Sequence, residues 1–528
     1  MQRSRKPKRS TRIGLLYRCF VFLTLVSWRL GGSRLISAQV ARPGSDTRPI
    51  TIDAHAPSHP FPHFWERMFG SGRAILSLRE SYRDDLRAVK QATDFGYIRF
   101  HGILNDEVGV FAAKPGANPS YNFSYVDQIY DGLLGIGVRP FVEISFMPRD
   151  LAATAQQQAF WYHPYVAPPK DWERWQGLIR NFVKHIIARY GIDEVSQWYF
   201  EVWNEPNIDF WAGQPKQATY FTLYDRTAEA IKSVSPRLRV GGPATAQAAW
   251  IPSFIQHCAD HNIPVDFIST HVYGNDTAHD VLGSEEEISR QEMVIRAVKK
   301  VHNEVRASPR PELPIIFSEY NASYMNESEV TDSAFMGPWL AYTISQCDGL
   351  VDTLAYWDFS DVFEEQGVVQ KPFYGGYGLL AEGNIPKAAF NAFALLHRLG
   401  EERLSVDSDA VLATRRADGT LVIAAWNYAA SGESRPSTRD RRELTLSLQS
   451  LGTQHHAVIF EVDDEHGSAL TAWEAMGRPD FPSRTEMELL RESGRLPAPE
   501  IRPLPASDPA PLVLNLPPHG LSLIEIVP

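Results

Sequence analysis

Cysteine is scarce, with three residues in a chain of 528. That excludes a disulfide scaffold, and Cys258 and Cys347 sit in no ligand or redox spacing. The two could pair in an oxidising compartment, but buried free thiols are the favoured reading, and Cys19 belongs to the basic N-terminal stretch. Long hydrophobic runs are missing as well. Past the N-terminus no stretch of about 18 uninterrupted apolar residues occurs, so the mature chain is expected to have no membrane partner. Positive charge is thin in the body: residues 1–42 hold ten Lys/Arg and no Asp/Glu, which leaves the rest at −21 against −11 for the whole chain. Such a body repels nucleic acid and anionic lipid, which excludes both as main partners. Gly-x-Ser-x-Gly and His-Glu-x-x-His are absent, and with them serine-hydrolase and zincin chemistry. Gly70-Ser-Gly72 lacks the third glycine of a dinucleotide fingerprint. There is no repeat at a solenoid or propeller period, and no motif specifies an oligomeric state.

What is present is an ordinary globular composition, 44% hydrophobic and 22% charged, somewhat rich in aromatics at 11%. The N-terminal basic residues precede an apolar run at Cys19–Trp28 and then small residues at Ser37, Ala38 and Ala41. This is the layout of a secretory signal, so residues 1–41 are expected to direct the chain to a secreted or periplasmic location. An uncleaved N-terminal anchor is the alternative.

From about residue 67 to 400, short β-branched or aromatic runs alternate with longer stretches of helical period. Eight strands are expected, at Met68–Leu76, Tyr97–Phe100, Val138–Ile144, Gln197–Val202, Arg239–Gly242, Phe267–His271, Ile315–Ser318 and Thr353–Trp357. Trp172, Trp175, Ile179, Phe182 and Ile186 mark a helix, with Asp171 to cap its start and Gly191 to end it. The pattern predicts an α/β fold, a (β/α)8 TIM barrel. Residues 401–528 read instead as short strands without crossover helices, an appended all-β, sandwich-like domain. The lead-in segment 42–66 can add a strand to it through Pro49–Asp53, and 475–512 reads as a surface loop with one helix near Thr485–Ser493.

In such a barrel, chemistry gathers where strands end. The polar residues there include His101, Glu143, Asn204, Glu205, His271, Tyr273, Glu319 and Trp357, the last followed by Asp358, Asp361, Glu364 and Glu365. Pro206 forbids a helix at Glu201-Val-Trp-Asn-Glu-Pro-Asn207, so a strand terminates and presents Asn204 and Glu205 at the mouth. Glu319 occupies the same position in Pro314-Ile-Ile-Phe-Ser-Glu-Tyr320. The interval between Glu205 and Glu319 leaves room for three βα units, which puts the two carboxylates on strands four and seven. Paired carboxylates facing each other suit glycoside hydrolysis: one protonates the leaving oxygen, and the other attacks the sugar carbon or activates water.

Six segments, Arg99-Phe-His-Gly102, Phe141–Pro148, Glu201–Asn207, Thr270-His-Val-Tyr273, Ser318-Glu-Tyr-Asn321 and Tyr356–Glu365, resemble in order the motifs of glycoside hydrolase family 39, closest to its β-xylosidases. Lys371–Leu379 is similar to the family's segment after the last strand. The resemblance implies a retaining enzyme with Glu205 as acid/base and Glu319 as nucleophile. It further implies that Asn204 bonds the hydroxyl next to the reacting carbon and that Tyr273 holds the nucleophile. His101, His271, Trp357 and the pair Glu364/Glu365 would contact the sugar. No cofactor and no metal are implied, and the partner is an oligosaccharide or polysaccharide substrate.

Other residues offer weaker signals. His55, His59 and His63 are spaced by four, but Pro57, Pro60 and Pro62 prevent the helix that would align them on a metal. Trp161, Tyr162, Trp211 and Trp250 could stack on sugars or fill core and loops. Asn122, Asn275, Asn321 and Asn326 form glycosylation-type triplets, and a glycan at Asn321 would block the site, so these are expected to be unused. Because the loops after strands six and eight carry no Lys or Arg for a uronate, a neutral pyranoside is expected, most simply β-linked xylose from the non-reducing end. The rival readings are an endo-acting enzyme, an α-L-iduronidase-like one, and a non-catalytic carbohydrate-binding barrel.

Overall fold

The computed structural model describes residues 48–114, 118–428, 440–451 and 456–528, so the expected signal or anchor at 1–41 lies outside the described residues. Eight parallel strands close into a barrel in chain order: β1 Met68–Ser71, β2 Tyr97–Phe100, β3 Arg139–Ile144, β4 Tyr199–Val202, β5 Arg239–Thr245, β6 Phe267–Tyr273, β7 Ile315–Asn321 and β8 Thr353–Tyr356. Tyr356 of β8 pairs back onto Phe69 of β1. The floor of the barrel is apolar, formed by Met68, Phe141, Phe267, Ile316 and Ala355 with Tyr97 and Tyr199 packed against them. Its upper half holds the charged groups described below.

The strand limits shift from those read in the sequence. β1 stops at Ser71, and Ala74–Leu78 coils into a 3-10 helix with Ala74 and Leu76 buried, because a short apolar run fits a buried helical turn as well as a strand. β5, β6 and β7 run on to Thr245, Tyr273 and Asn321, and the last two strands are buried throughout. His271 and Glu319 therefore lie within strands, held by the barrel's hydrogen bonds. The helix Trp172–Tyr190 forms as expected: the Asp171 carboxylate accepts from the Arg174 N–H at 3.0 Å, and Gly191 ends it at φ 82°.

The C-terminal part is a two-layer sandwich. One sheet pairs Ile50–Asp53, in parallel, with Arg442–Gln449, which pairs antiparallel with Ala510–Leu516; the other has seven strands, including Leu421–Trp426 and Leu521–Val527. Alternation explains why Leu421–Trp426 reads as one continuous apolar run. Leu421, Ile423 and Ala425 face the sandwich core, while Val422, Ala424 and Trp426 join the core of the barrel. Ser45–Pro528 accordingly forms one compact unit. The module also contains strands Glu402–Leu404 and Val411–Arg415 and helices Leu470–Ala475 and Arg484–Ser493, the last capped by a Ser483/Glu486 box. A further strand, Glu500–Pro503, falls where a loop was expected. Cys258 and Cys347 are buried free thiols. No described helix is long and apolar enough to cross a membrane.

The three lead-in histidines do not converge. His55 is tied through its backbone to Asp53, His59 meets Asp348 at 2.7 Å, and His63 meets Glu66 at 2.6 Å in a bond network shared with His397. The sandwich core generates the first prediction. Ile423→Ala should lower the free energy of urea unfolding by about 3 kcal/mol, and a loss below about 1 kcal/mol would contradict a shared, close-packed core.

Candidate active site

Arg99 is the third residue of β2, and its side chain is completely buried at the barrel axis. Its Nε donates to Glu201 Oε2 at 2.6 Å, Nη1 to Glu319 Oε1 at 2.6 Å, and Nη2 to Asn204 Oδ1 at 3.0 Å. Nη2 also lies 2.7 Å from Glu143 Oε2. Burial works against the guanidinium charge, but Glu201, Glu143 and Glu319 outweigh it and raise the pKa further. One fork thus ties together β2, β3, β4, β7 and the turn after β4.

Glu319 receives a second donor, the Tyr273 hydroxyl, on Oε2 at 2.7 Å. Glu205 sits across from it on the turn after β4, in a left-handed conformation at φ 43° and fastened by its N–H to the Ala244 carbonyl at 2.8 Å. A carboxylate oxygen of Glu205, one of Glu319 and a ring nitrogen of His271 all lie within 4.8 Å of one another. The two carboxyls differ in their surroundings. Glu205 faces no cation directly, and burial first, then the charges of Glu319 and Asp276, hold its pKa well above the usual carboxylate range. The neutral form is thus favoured in Glu205, while Glu319 is gripped by two donors.

Between them opens a cavity of about 340 Å³. Asn204, Glu205, Glu319, Tyr273, His101, Trp357 and Glu365 line it, as expected from the sequence, along with Asp276, Tyr324 and Gln366. The Asn204 carbonyl is taken by Arg99, so its amide N–H groups remain to meet a ligand hydroxyl. Trp357 forms one wall, with the His101 ring 4.8 Å from it. Glu365 has its pKa raised well above normal by burial and by Glu319, which favours its neutral form. Asp276, pushed up to about 6 by burial, accepts from the Tyr273 N–H at 2.7 Å.

Two expected sugar contacts are corrected. Glu364 turns away from the cavity, bonding Arg73 at 3.0 Å and Arg79 at 2.6 Å, because these two cations claim it. His271 is fully buried off the cavity lining, with Nδ1 on Glu205 and Nε2 on Ser318. Among the aromatics weighed, Trp211 is buried and Trp161 is half exposed. Asn321 is wholly buried and donates to the Trp357 carbonyl, which leaves no room for a glycan. Arg99, Glu201, Ser318 and Asp276 received no role from the sequence. The available signal was a charged residue inside the apolar run Tyr97-Ile-Arg-Phe100, which a buried strand accepts only with partners.

The barrel with paired carboxyls at its mouth defines a glycoside hydrolase. The sequence model of Glycosyl hydrolases family 39 matches residues 48–508. Similar relatives are a β-xylosidase of Geobacillus stearothermophilus, 40% identical over 81% of this chain and 85% of its own, and one of Caldicellulosiruptor saccharolyticus, 36% identical over 82% and 88%. The crystal structure of a monomeric β-xylosidase from Caulobacter crescentus CB15 superposes with a TM-score of 0.81 at 32% identity, covering 91% of this chain and 99% of that one. The chain belongs to glycoside hydrolase family 39 and is a β-xylosidase-like glycosidase.

The wall at Trp357 depends on Gly70, where a Cβ would lie 2.2 Å from the indole Cε3. Gly70→Ala should push the ring into the cavity and lower kcat/KM about 100-fold with the circular dichroism unchanged. Activity near that of the parent enzyme would show that Trp357 does not shape the site.

Proposed function

We propose that the enzyme is a secreted, retaining exo-glycosidase that releases β-linked xylose from the non-reducing ends of xylo-oligosaccharides. The observation that carries this is the closeness of the two unlike carboxyls, with oxygens within 4.8 Å. That spacing suits direct attack, for which carboxyl groups stand about 5–5.5 Å apart, better than the wider gap that admits a water. In the first step Glu319 attacks the anomeric carbon while Glu205 gives its proton to the leaving oxygen, forming a glycosyl ester and a free alcohol. In the second, Glu205 takes a proton from water as that water displaces Glu319. Arg99 and Tyr273 aim the nucleophile throughout.

The pocket supports the finer assignments. Its 340 Å³ is at the small end of ligand sites, which run from about 300 to 1,000 Å³, and favours a chain end over a long cleft. No lysine or arginine lines it, so a uronate would find no counter-charge, while the four carboxyl groups suit neutral hydroxyls. The relatives named β-xylosidase favour xylose, and residues 1–41 supply the export signal.

Glu319→Ala should abolish turnover of aryl β-xylosides, and added azide should restore it with inverted product geometry. Glu205→Ala should spare good leaving groups and lose poor ones. Trapping the glycosyl ester on a residue other than Glu319 would overturn the mechanism. Across aryl β-xyloside, β-glucoside, α-arabinoside and α-iduronide, the xyloside should give the highest kcat/KM; iduronide in first place would overturn the neutral-sugar reading.

In pH, activity should fall on the alkaline side as Glu205 loses its proton. Because burial and the Glu319 charge raise that group's pKa, the limb should lie well above the ordinary range for a glutamate. A kcat/KM profile whose alkaline limb lies at ordinary glutamate values would contradict this.

A further inference from the structure

Beside Glu205 runs a chain of buried hydrogen bonds whose direction is fixed by proton counting. His271 Nδ1 is 3.0 Å from Glu205 Oε1, and His271 Nε2 is 3.1 Å from Ser318 Oγ. The Ser318 hydroxyl donates to Glu201 Oε1 at 2.6 Å, and Glu201 Oε2 accepts from Arg99 at 2.6 Å. His271, Ser318, Glu201 and Arg99 have no exposed surface.

The charged end sets the order. Glu201, paired with the Arg99 guanidinium, is an acceptor, so the single Ser318 proton goes to it and Ser318 Oγ must itself receive from His271. Burial, with the charges of Arg99 and His101, holds the His271 pKa well below its usual value, so the ring is neutral and has one N–H. That N–H is on Nε2, which leaves Nδ1 a bare lone pair. The contact with Glu205 is then a hydrogen bond only when Glu205 brings the proton.

We propose that Ser318 is a positioning residue that locks His271 in the Nε2–H tautomer, so that Nδ1 holds the proton on Glu205 before bond cleavage and repels the bare carboxylate afterwards. This rests on Glu205 being the acid/base. In the first step the Glu205 proton leaves with the alcohol. The carboxylate then faces a lone pair, and the proton drawn from the incoming water restores the bond. No proton travels along the chain, and His271 keeps its own throughout.

Other groups also act on Glu205. Glu319 from β7, Asp276 from the loop after β6, Glu143 from β3 and Glu365 from the loop after β8 favour its neutral form, while Arg99 from β2 opposes it. Tyr273 from β6 faces the carboxyls of both Glu205 and Glu319, His101 faces His271, and Glu319 Oε1 lies 3.6 Å from His271 Nδ1. A substitution at Ser318 keeps all of these groups; besides the tautomer preference it removes one donor from Glu201, which stays paired with Arg99.

The test is the pH profile of Ser318→Ala on an aryl β-xyloside. Without the hydroxyl the Nδ1–H tautomer becomes available and donates to the Glu205 carboxylate. The alkaline limb of kcat/KM should therefore move down by about 1 pH unit, as gain of a hydrogen bond to the charged form requires. Ser318→Thr, which keeps the hydroxyl, should restore it. A rate lowered equally at every pH, with the limb unmoved, would overturn the proposal. Nitrogen NMR of histidine-labelled parent enzyme, with His271→Gln for assignment, provides a readout independent of the variant's folding: Nδ1 should resonate as an unprotonated nitrogen, and a proton there overturns the tautomer. Glu205→Ala, measured alongside, separates the two readings. If it shows no dependence on leaving group, the acid/base assignment fails; if that dependence is normal and the Ser318→Ala limb is unmoved, the tautomer lock alone fails.

Discussion

A guanidinium buried without exposed surface on the barrel axis has to be surrounded by acceptors, and Arg99 draws Glu143, Glu201, Glu319 and Asn204 to itself from three other strands and one turn. Removing one partner from such a cluster leaves the others uncompensated, at about 3–5 kcal/mol. The cluster cannot relax into water, because Phe141, Phe267 and Ile316 close the barrel below it. That apolar floor also keeps the local dielectric low, which strengthens the attraction of Arg99 for Glu319 and the repulsion between Glu319 and Glu205. One fixed positive charge therefore grips Glu319 directly, while its neighbour Glu205, which lacks a direct cation, has its pKa raised well above the usual carboxylate range.

Much of this was legible in the sequence, because periodicity and strand-end polarity are local signals. The eight strands, the capped helix Trp172–Tyr190 and the pairing of Glu205 with Glu319 all follow from them. What was not legible depends on three-dimensional partners. Glu364 and Glu365 are adjacent and chemically identical, yet one meets two arginines from the 71–79 segment and the other faces the cavity. His271 reads as a sugar contact until the run of β6 places it behind Glu205. Arg99 lies in Arg99-Phe-His-Gly102, yet no spacing along the chain announces three carboxylates that come from residues 143, 201 and 319. In the sandwich, Glu402–Leu404 and Val411–Arg415 are too short to show alternation in the sequence.

The loop after β8 brings Trp357, Glu365 and Gln366 to the cavity, and what fixes it lies outside that cavity. Lys387, fully buried, reaches Asp361 of this loop at 2.6 Å, Asp332 at 2.7 Å and the Gly376 carbonyl at 3.0 Å. Gly376 and Gly378 leave room for that arrangement, since a Cβ at either would come within 2.3 Å of Asp361. On the other side of the loop Ser360 donates to Asp85 at 2.5 Å, a carboxyl pushed up to about 7 by burial. Asp332 stands just before helix Met336–Cys347, and at Gly337 that helix packs directly on Leu521 of the seven-stranded sheet. Packing is therefore continuous from the sandwich through this helix to Asp332, Lys387 and the wall of the active site. The β module thus buttresses the cavity wall from behind: it packs on the helix that follows Asp332, one of the two counter-charges of the loop's buried lysine.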